Sequence, residues 1–324
     1  MRDRHGVERG QCYDCIAARV ECCEFVFSAY GGDDDDDGSC QPQNCSPEEY
    51  RRDPLMGCIR WRLERDVPSR PPPAACECCG CPAAAHEALE VSEAEARCLE
   101  VGRRLLAPLE LSHCIRQSVQ DTATLGLERE NFTYGEVGLL SFLRLVERAL
   151  TYRGAGAGGL GRSAFYDLGC GVGKCVIMAA VQSAGFARYV GVELLPGLCA
   201  ASRALGARVQ AEAARAAEAG GPAWPEVSFV EADLFEVDLA DAALVLVNAG
   251  SWREPNLTHL RRYLVKALPD GCILATIQQP LTQAGRTELV HLEELRLTMS
   301  WGDARVFLAV RRRPPPAFDL EAMD

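Results

Sequence analysis

Three alternate glycines, Gly169, Gly171 and Gly173, stand between an acid, Asp167, and an apolar helical pattern that begins at Val176. Upstream of them the apolar run Phe165-Tyr166-Asp167-Leu168 has the length of a strand. The order predicts a strand, a tight turn and a helix start. Glycines let a backbone approach a ligand where any Cβ would clash. A second apolar run, Tyr189 to Val192, ends in Glu193, twenty positions after Gly173. A carboxylate at that place can accept both hydroxyls of a ribose. Two acids at strand ends around a glycine turn predict a site for a nucleoside-containing cofactor. The alternative is a glycine-rich turn that binds nothing.

A dinucleotide fingerprint has its third glycine three places after the second. Here Lys174 fills that place. An acid two positions before the first glycine also suits a cationic amino-acid end better than a pyrophosphate. The pattern therefore favours S-adenosylmethionine over a nicotinamide cofactor. No Ser-His-acid set or metal triad competes, the five histidines being scattered along the chain. After the fourth expected strand comes Asn248-Ala249-Gly250-Ser251, not the N/D-P-P-Y tetrapeptide of amino-methylating nucleic-acid enzymes.

The elements that must hold these residues follow from periodicity. Helical patterns are expected from Leu89 to Leu105, from Leu111 to Ser118 and from Leu139 to Leu150. After Glu193 an alanine-rich helix is expected from Pro196 to Ala219, with proline at its first turn and Gly220-Gly221-Pro222 at its end. Strands are expected at 227–230, 243–247 and 272–277, a helix at 255–268, and a terminal hairpin from Leu295 to Trp301 and Arg305 to Val310. Strands alternating with helices predict an α/β fold, a doubly wound, mostly parallel seven-stranded sheet.

The front of the chain reads differently. Of 324 residues and a net charge of −12, residues 1–130 hold 25 acids against 15 arginines, a net −10, while residues 131–324 carry a net −2. Eleven of seventeen cysteines fall in residues 1–81. Cys12-x-x-Cys15 and Cys78-x-x-Cys81 have the spacing of zinc knuckles. Between them lie five consecutive aspartates and Pro71-Pro72-Pro73. A structural zinc and a floppy cysteine-rich extension are both open. No apolar run is long enough to span a bilayer. Met1-Arg2-Asp3-Arg4-His5 has no apolar core behind it, so a secretory signal is not expected and a reducing compartment is. The expected division is an acidic extension (1–82), a helical lead-in (83–162), a cofactor-binding domain (163–313) and a tail (314–324).

Four segments together resemble the histone-lysine methyltransferases that lack a SET domain, the disruptor of telomeric silencing family. Tyr134-Gly135-Glu136 resembles the family's Y-G-E loop, and Asp167-Leu168-Gly169-Cys170-Gly171-Val172-Gly173 its D-L-G-S-G-V-G loop. Val247-Asn248 followed by Trp252 is similar to its V-N-N-F-x-F segment, and Ser300-Trp301 to its S-W turn. The resemblance covers about residues 114–310. It implies a class I, Rossmann-like methyltransferase fold using S-adenosylmethionine. By position it implies that Asp167 meets the cofactor's amino end, Glu193 its ribose and Asp233 its adenine amine, with Leu234 against the ring. Thr133, Val137, Gly169, Gly171, Gly173 and Lys174 would complete the cofactor contacts. Asn248, Tyr134 and Glu136 would frame the methyl-transfer centre, and Trp252 and Trp301 a substrate channel.

The resemblance further implies a histone or other protein carrying the target lysine, and a nuclear location. There are departures. Ala249 replaces the second Asn of V-N-N, Gly250 its following Phe, and Val306-Phe307 stand in place of tyrosines in a short terminal hairpin. The family's lysine-rich arm is missing, and only Lys174 and Lys266 are lysines. Nucleic-acid affinity rests on neutralising phosphates, so nucleosome contact is expected to be weak. Two other functions compete: a methyltransferase for a non-histone protein or a small molecule, and a non-catalytic module whose working part is the cysteine-rich front.

Overall fold

The computed structural model describes residues 91–128, 132–152, 163–218, 224–283 and 285–313. The zinc-spaced cysteines, the proline run, the glycine linker expected near 154–161 and the tail lie outside those residues. Within the chain two compact units are found. Of the described residues, the smaller takes 91–99, Gly135–Ser141 and Thr298–Asp303, and the larger those within Glu100–Tyr134, Phe142–Leu297 and 304–313.

A seven-stranded sheet has the order β3-β2-β1-β4-β5-β7-β6. Its strands are β1 (Ala164–Leu168), β2 (Arg188–Glu193), β3 (Glu226–Glu231), β4 (Ala242–Asn248), β5 (Ile273–Ile277), β6 (Leu289–Met299) and β7 (Gly302–Arg311). β1 pairs in parallel with β2 and with β4; β2–β3 and β4–β5 are parallel as well. β7 runs antiparallel to β5. Strand order reverses at β1, so ligand space lies at the carboxyl ends of β1, β2 and β4. β1 and β5 are buried along their whole length, as strands covered by helices on both faces must be.

Among the described residues the helices are α1 (Glu93–Leu106), α2 (Leu111–Thr124), α3 (Leu139–Thr151), α4 (Lys174–Val181), α5 (Pro196–Glu218) and α6 (Asn256–Ala267). α1 begins at a capping box: Glu95 N–H donates to Ser92 Oγ and Ser92 N–H to Glu95 Oε2. It therefore starts at Glu93; Leu89 and Glu90 of the expected helix lie outside the described residues. α2 runs six residues past the expected end at Ser118. Its last turn buries Asp121 and Thr122, so its inner face is polar and apolar periodicity stops short of it. The hairpin is likewise longer than expected. β6 and β7 have 11 and 10 residues. The charged residues of β6 belong to a half-exposed strand, which hides its apolar alternation.

In the larger unit α3 lays Phe142 edge-on to Phe165 of β1, and Phe165 meets Phe186 and Tyr189 beyond it. On the other side of β2, Phe229 fills a cradle made by absent side chains. A Cβ at Gly173 would come within 2.3 Å of its ring, at Gly191 within 2.6 Å and at Gly206 within 3.0 Å. One aromatic ring thus ties the glycine turn, β2 and α5 together. Gly191→Val should destabilise the fold by about 1–3 kcal/mol through overpacking. Chemical denaturation measures it; an unchanged midpoint would show that the cradle has slack.

Candidate functional site

The glycine turn is shaped by its backbone. Gly169, Gly171 and Gly173 take φ of 82°, 55° and 82°, values that side chains resist. Gly169 and Cys170 N–H groups both donate to Val192 O, at 2.8 and 2.9 Å, fastening the turn to β2. The Gly173 N–H donates to Cys170 O, and Ile177 N–H to Gly173 O opens α4. A Cβ on Gly169 would meet nothing within 4 Å, so the turn has open space beside it there. Over Gly171 the ring of Tyr134 closes in, 2.7 Å from where a Cβ would stand.

Glu193 ends β2 and is buried, at 7 % exposure. Its Oε2 accepts from Gly171 N–H at 2.8 Å and its Oε1 from Leu195 N–H at 2.9 Å. One carboxylate therefore holds both the glycine turn and the entry to α5. Burial pushes its pKa up, and the amides of Leu195 and Gly171 pull the other way. Each oxygen keeps a second lone pair for a ligand hydroxyl.

Asp167 lies one residue before the end of β1 and is 5 % exposed. Among the described residues nothing donates a hydrogen bond to its carboxylate. Burial, with the Glu193 charge adding to it, raises its pKa to about 7. A buried carboxylate without a partner is costly. A cationic ligand removes that cost.

Asp233 follows β3. Its Oδ1 accepts from Phe235 N–H at 3.0 Å and caps the short 3-10 turn Leu234–Glu236. Asn248 ends β4, and its Oδ1 accepts from Gly250 N–H at 3.2 Å. Ala249 is fully buried. Trp252 is half-buried against Phe235, centroids 6.1 Å apart, and Phe235 stacks on His259 at 4.2 Å. Trp252 therefore sits in an aromatic group at the rim of the core. Lys174 is the first residue of α4, where a cation opposes the helix dipole; helix stability does not account for it.

The smaller unit brings Gly135-Glu136 and Ser300-Trp301 side by side. Ser300 N–H donates to Glu136 O at 2.8 Å, and Glu136 N–H to Ser300 Oγ at 3.1 Å. Val137 bridges Met299, and Trp301 covers the Cα of Gly135. Glu136 is buried. Thr133 and Tyr134 belong to the larger unit.

Asp121 on α2 was not expected. Its Oδ2 accepts from Gly197 N–H at 2.7 Å, at the start of α5, while Gln117 Nε2 donates to Oδ1 at 2.8 Å. It thereby braces the helix entry that Glu193 holds from within. The signal was an acid in a helical lead-in, which spacing alone does not single out. The arginines at positions 261, 262, 311, 312 and 313 do not form one exposed patch. The Arg311 guanidinium is held by the carbonyls of Val265, Glu288 and Arg312. Arg261 donates to Leu281 O and pairs with Glu288. Arg262, Arg312 and Arg313 remain exposed.

A parallel sheet with this order, a glycine turn and acids at the ends of β1 and β2 define a class I S-adenosylmethionine-dependent methyltransferase. The family described as "Histone methylation protein DOT1" matches residues 131–299, just over half of the chain. The chain belongs to this family of S-adenosylmethionine-dependent histone-lysine methyltransferases. No curated protein matches it in sequence. Similar solved structures include an RNA methyltransferase from Salinibacter ruber in complex with S-adenosyl-L-homocysteine, 25% identical over 54% of this chain and 96% of that one, with a TM-score of 0.34. The rRNA methyltransferase aviRa from Streptomyces viridochromogenes is 17% identical over 52% of this chain and 84% of its own, TM-score 0.37. Geranyl diphosphate C-methyltransferase from Streptomyces coelicolor is 14% identical over 52% and 78%, TM-score 0.37.

Asp167→Asn separates ligand binding from folding. S-Adenosylmethionine affinity should fall by about tenfold to a hundredfold, the loss of a charged hydrogen bond. The free protein should nevertheless melt higher at pH 8. A carboxyl whose folded pKa is raised to about 7 destabilises the fold when ionised. That penalty is complete above pH 7 and gone below the ordinary carboxylate range. Calorimetry and melts at pH 8 and pH 4 check both; an unchanged affinity would remove Asp167 from the site.

Proposed function

We propose that the larger unit holds S-adenosylmethionine along the carboxyl ends of β1, β2 and β3 and delivers its methyl group to a lysine ε-amine at the end of β4. The observation that carries this is the buried Asp167 carboxylate with no donor among the described residues. It suits the ammonium of the cofactor's methionine end. Lys174 supplies a cation beside the carboxylate of that end. Glu193 takes the ribose hydroxyls with its remaining lone pairs, and Asp233, with Leu234 beside it, takes the adenine amine. The open space at Gly169 and the Tyr134 ring over Gly171 fit a ligand lying along the turn.

S-Adenosylmethionine, when bound, supplies an electrophilic methyl group on a positive sulfonium sulfur. The residues around it have three tasks: to align the amine, to exclude water and to keep the amine neutral. Desolvation and the nearby positive charge both lower an ammonium pKa, so no dedicated base is needed and the surplus proton goes to water. The amine nitrogen forms the N–C bond as the carbon–sulfur bond breaks, and that bond's electron pair stays on sulfur. Asn248 Oδ1, already fixed by Gly250 N–H, has a second lone pair for an amine hydrogen.

The substrate is a histone or another protein lysine. A free protein tail fits better than a nucleosome. Arg261 and Arg311 are built into the fold, and residues 131–324 carry a net charge of −2, so the domain has no surplus of positive charge to neutralise DNA phosphates. A nuclear location belongs to the same proposal; metal analysis of the full chain decides between a zinc site and a cysteine-rich extension without one at the front.

Asn248→Ala should bind S-adenosylmethionine almost as the parent does, yet lower kcat by about tenfold to a hundredfold, because an orienting group acts mainly on the transition state. Calorimetry together with transfer of labelled methyl groups to core histones tests it. Equal loss of binding and turnover would make Asn248 a structural cap.

A further inference from the structure

The carboxyl end of β5 carries an unusual backbone next to Asn248. Gln278 has φ 69°, a left-handed conformation that strains any residue with a Cβ. Among the described residues one other non-glycine shares it, Ser183, in the turn after α4 at the opposite end of the sheet. Strain of this kind persists where the surroundings enforce it, and it concentrates at functional sites.

The turn has no need of a glutamine. Gln278 N–H donates to Arg305 O at 2.7 Å, and Thr276 Oγ1 donates to Gln279 O at 2.8 Å. A glycine at 278 would keep both bonds and carry no strain. What the side chain adds is its place. A Cβ on Gly250 would stand 3.2 Å from Asn248 Oδ1 and 3.3 Å from Gln278 Cγ. The two amide residues therefore lean over the same glycine from paired strands, Asn248 lying opposite Ile277 in the β4–β5 ladder. Gly250 admits both because it has no side chain. Gln278 is half-exposed, and among the described residues its amide has no hydrogen-bond partner.

We propose that Gln278 is a second amine-orienting residue that works with Asn248 and restricts how many methyl groups the amine receives. This rests on the reading that the end of β4 receives a lysine amine. A neutral primary amine has two N–H groups and one lone pair. Asn248 Oδ1 accepts one hydrogen and Gln278 Oε1 the other, which turns the lone pair toward the methyl donor. Once a methyl group is added, the neutral amine has a single N–H, and one acceptor loses its partner. The pair therefore favours the first transfer over later ones.

The test uses the full chain, labelled S-adenosylmethionine and purified core histones, with mass spectrometry of the product lysines. Gln278→Gly should melt higher than the parent, since its strain is gone, and bind the cofactor equally well. Its kcat should fall at least about tenfold, and the share of multiply methylated lysine should rise. Gln278→Asn keeps an amide on a residue that tolerates this backbone and should stay closer to the parent on both counts. A purely structural role for Gln278 would shift the melting point and leave the product distribution alone. If the parent methylates histone lysines and Gln278→Gly matches it in kcat and product distribution, this inference fails by itself. If the parent binds the cofactor but methylates no histone lysine, the lysine reading fails and takes the inference with it.

Discussion

A carboxylate that folding buries without a partner sets the terms for the rest of the larger unit. Asp167 lies one residue before the end of a strand buried along its whole length and is only 5 % exposed. The nearest charge that bears on it is another buried acid, Glu193, which makes its ionisation harder still. Two acids so placed are a poor use of a core unless something positive arrives between folding and function. The glycine turn, with its three left-handed glycines, is the consequence. It brings the Gly171 N–H to Glu193 and leaves open space at Gly169, so the two acids differ in their surroundings. Glu193 is tied into the fold, and Asp167 is the acid proposed to meet a ligand.

The same logic orders the surrounding elements. Glu193 couples the turn to the start of α5, and Asp121 holds that start from α2. A helix of the lead-in therefore bears on the geometry of β2, although its sequence lies some seventy residues earlier. Phe229 locks the other side by filling the space over Gly173, Gly191 and Gly206. The scaffold around the turn is thus rigid, as transfer between two precisely aligned atoms requires. At the same carboxyl edge of the sheet, β4 ends at Asn248 and β5 runs on into Gln278, the two flanking Gly250 as a second small constellation built on paired strands.

The sheet and the glycine turn were legible because their signals are local. An apolar run, an acid and alternate glycines need no distant partner to be recognised, and five parallel strands followed by a hairpin gave the fold class. The pairing of Gly135-Glu136 with Ser300-Trp301 joins two segments singled out separately. Asp121 was not legible, because what distinguishes it is the Gly197 N–H that folding brings to it. Gln278 was not legible either, since nothing in a sequence marks a glutamine that will be held at positive φ. The inward turn of Arg261 and Arg311 was not legible either, because it depends on carbonyls of α6 and of the loop before β6 that folding brings to them. The hairpin looked short because half of β6 is polar, as a half-exposed strand is.

The central requirement is that Asp167 meet a cation. Proton release on cofactor binding measures that most directly, by titration calorimetry at pH 6 in buffers of different ionisation enthalpy. Free Asp167, with a pKa of about 7, is largely protonated there, and a neighbouring ammonium lowers its pKa and drives the proton off. The expected result is release approaching one proton per S-adenosylmethionine bound at pH 6, little release at pH 8, and none in Asp167→Asn at either pH. Tight binding at pH 6 with no proton released, or the same release from Asp167→Asn, would contradict it.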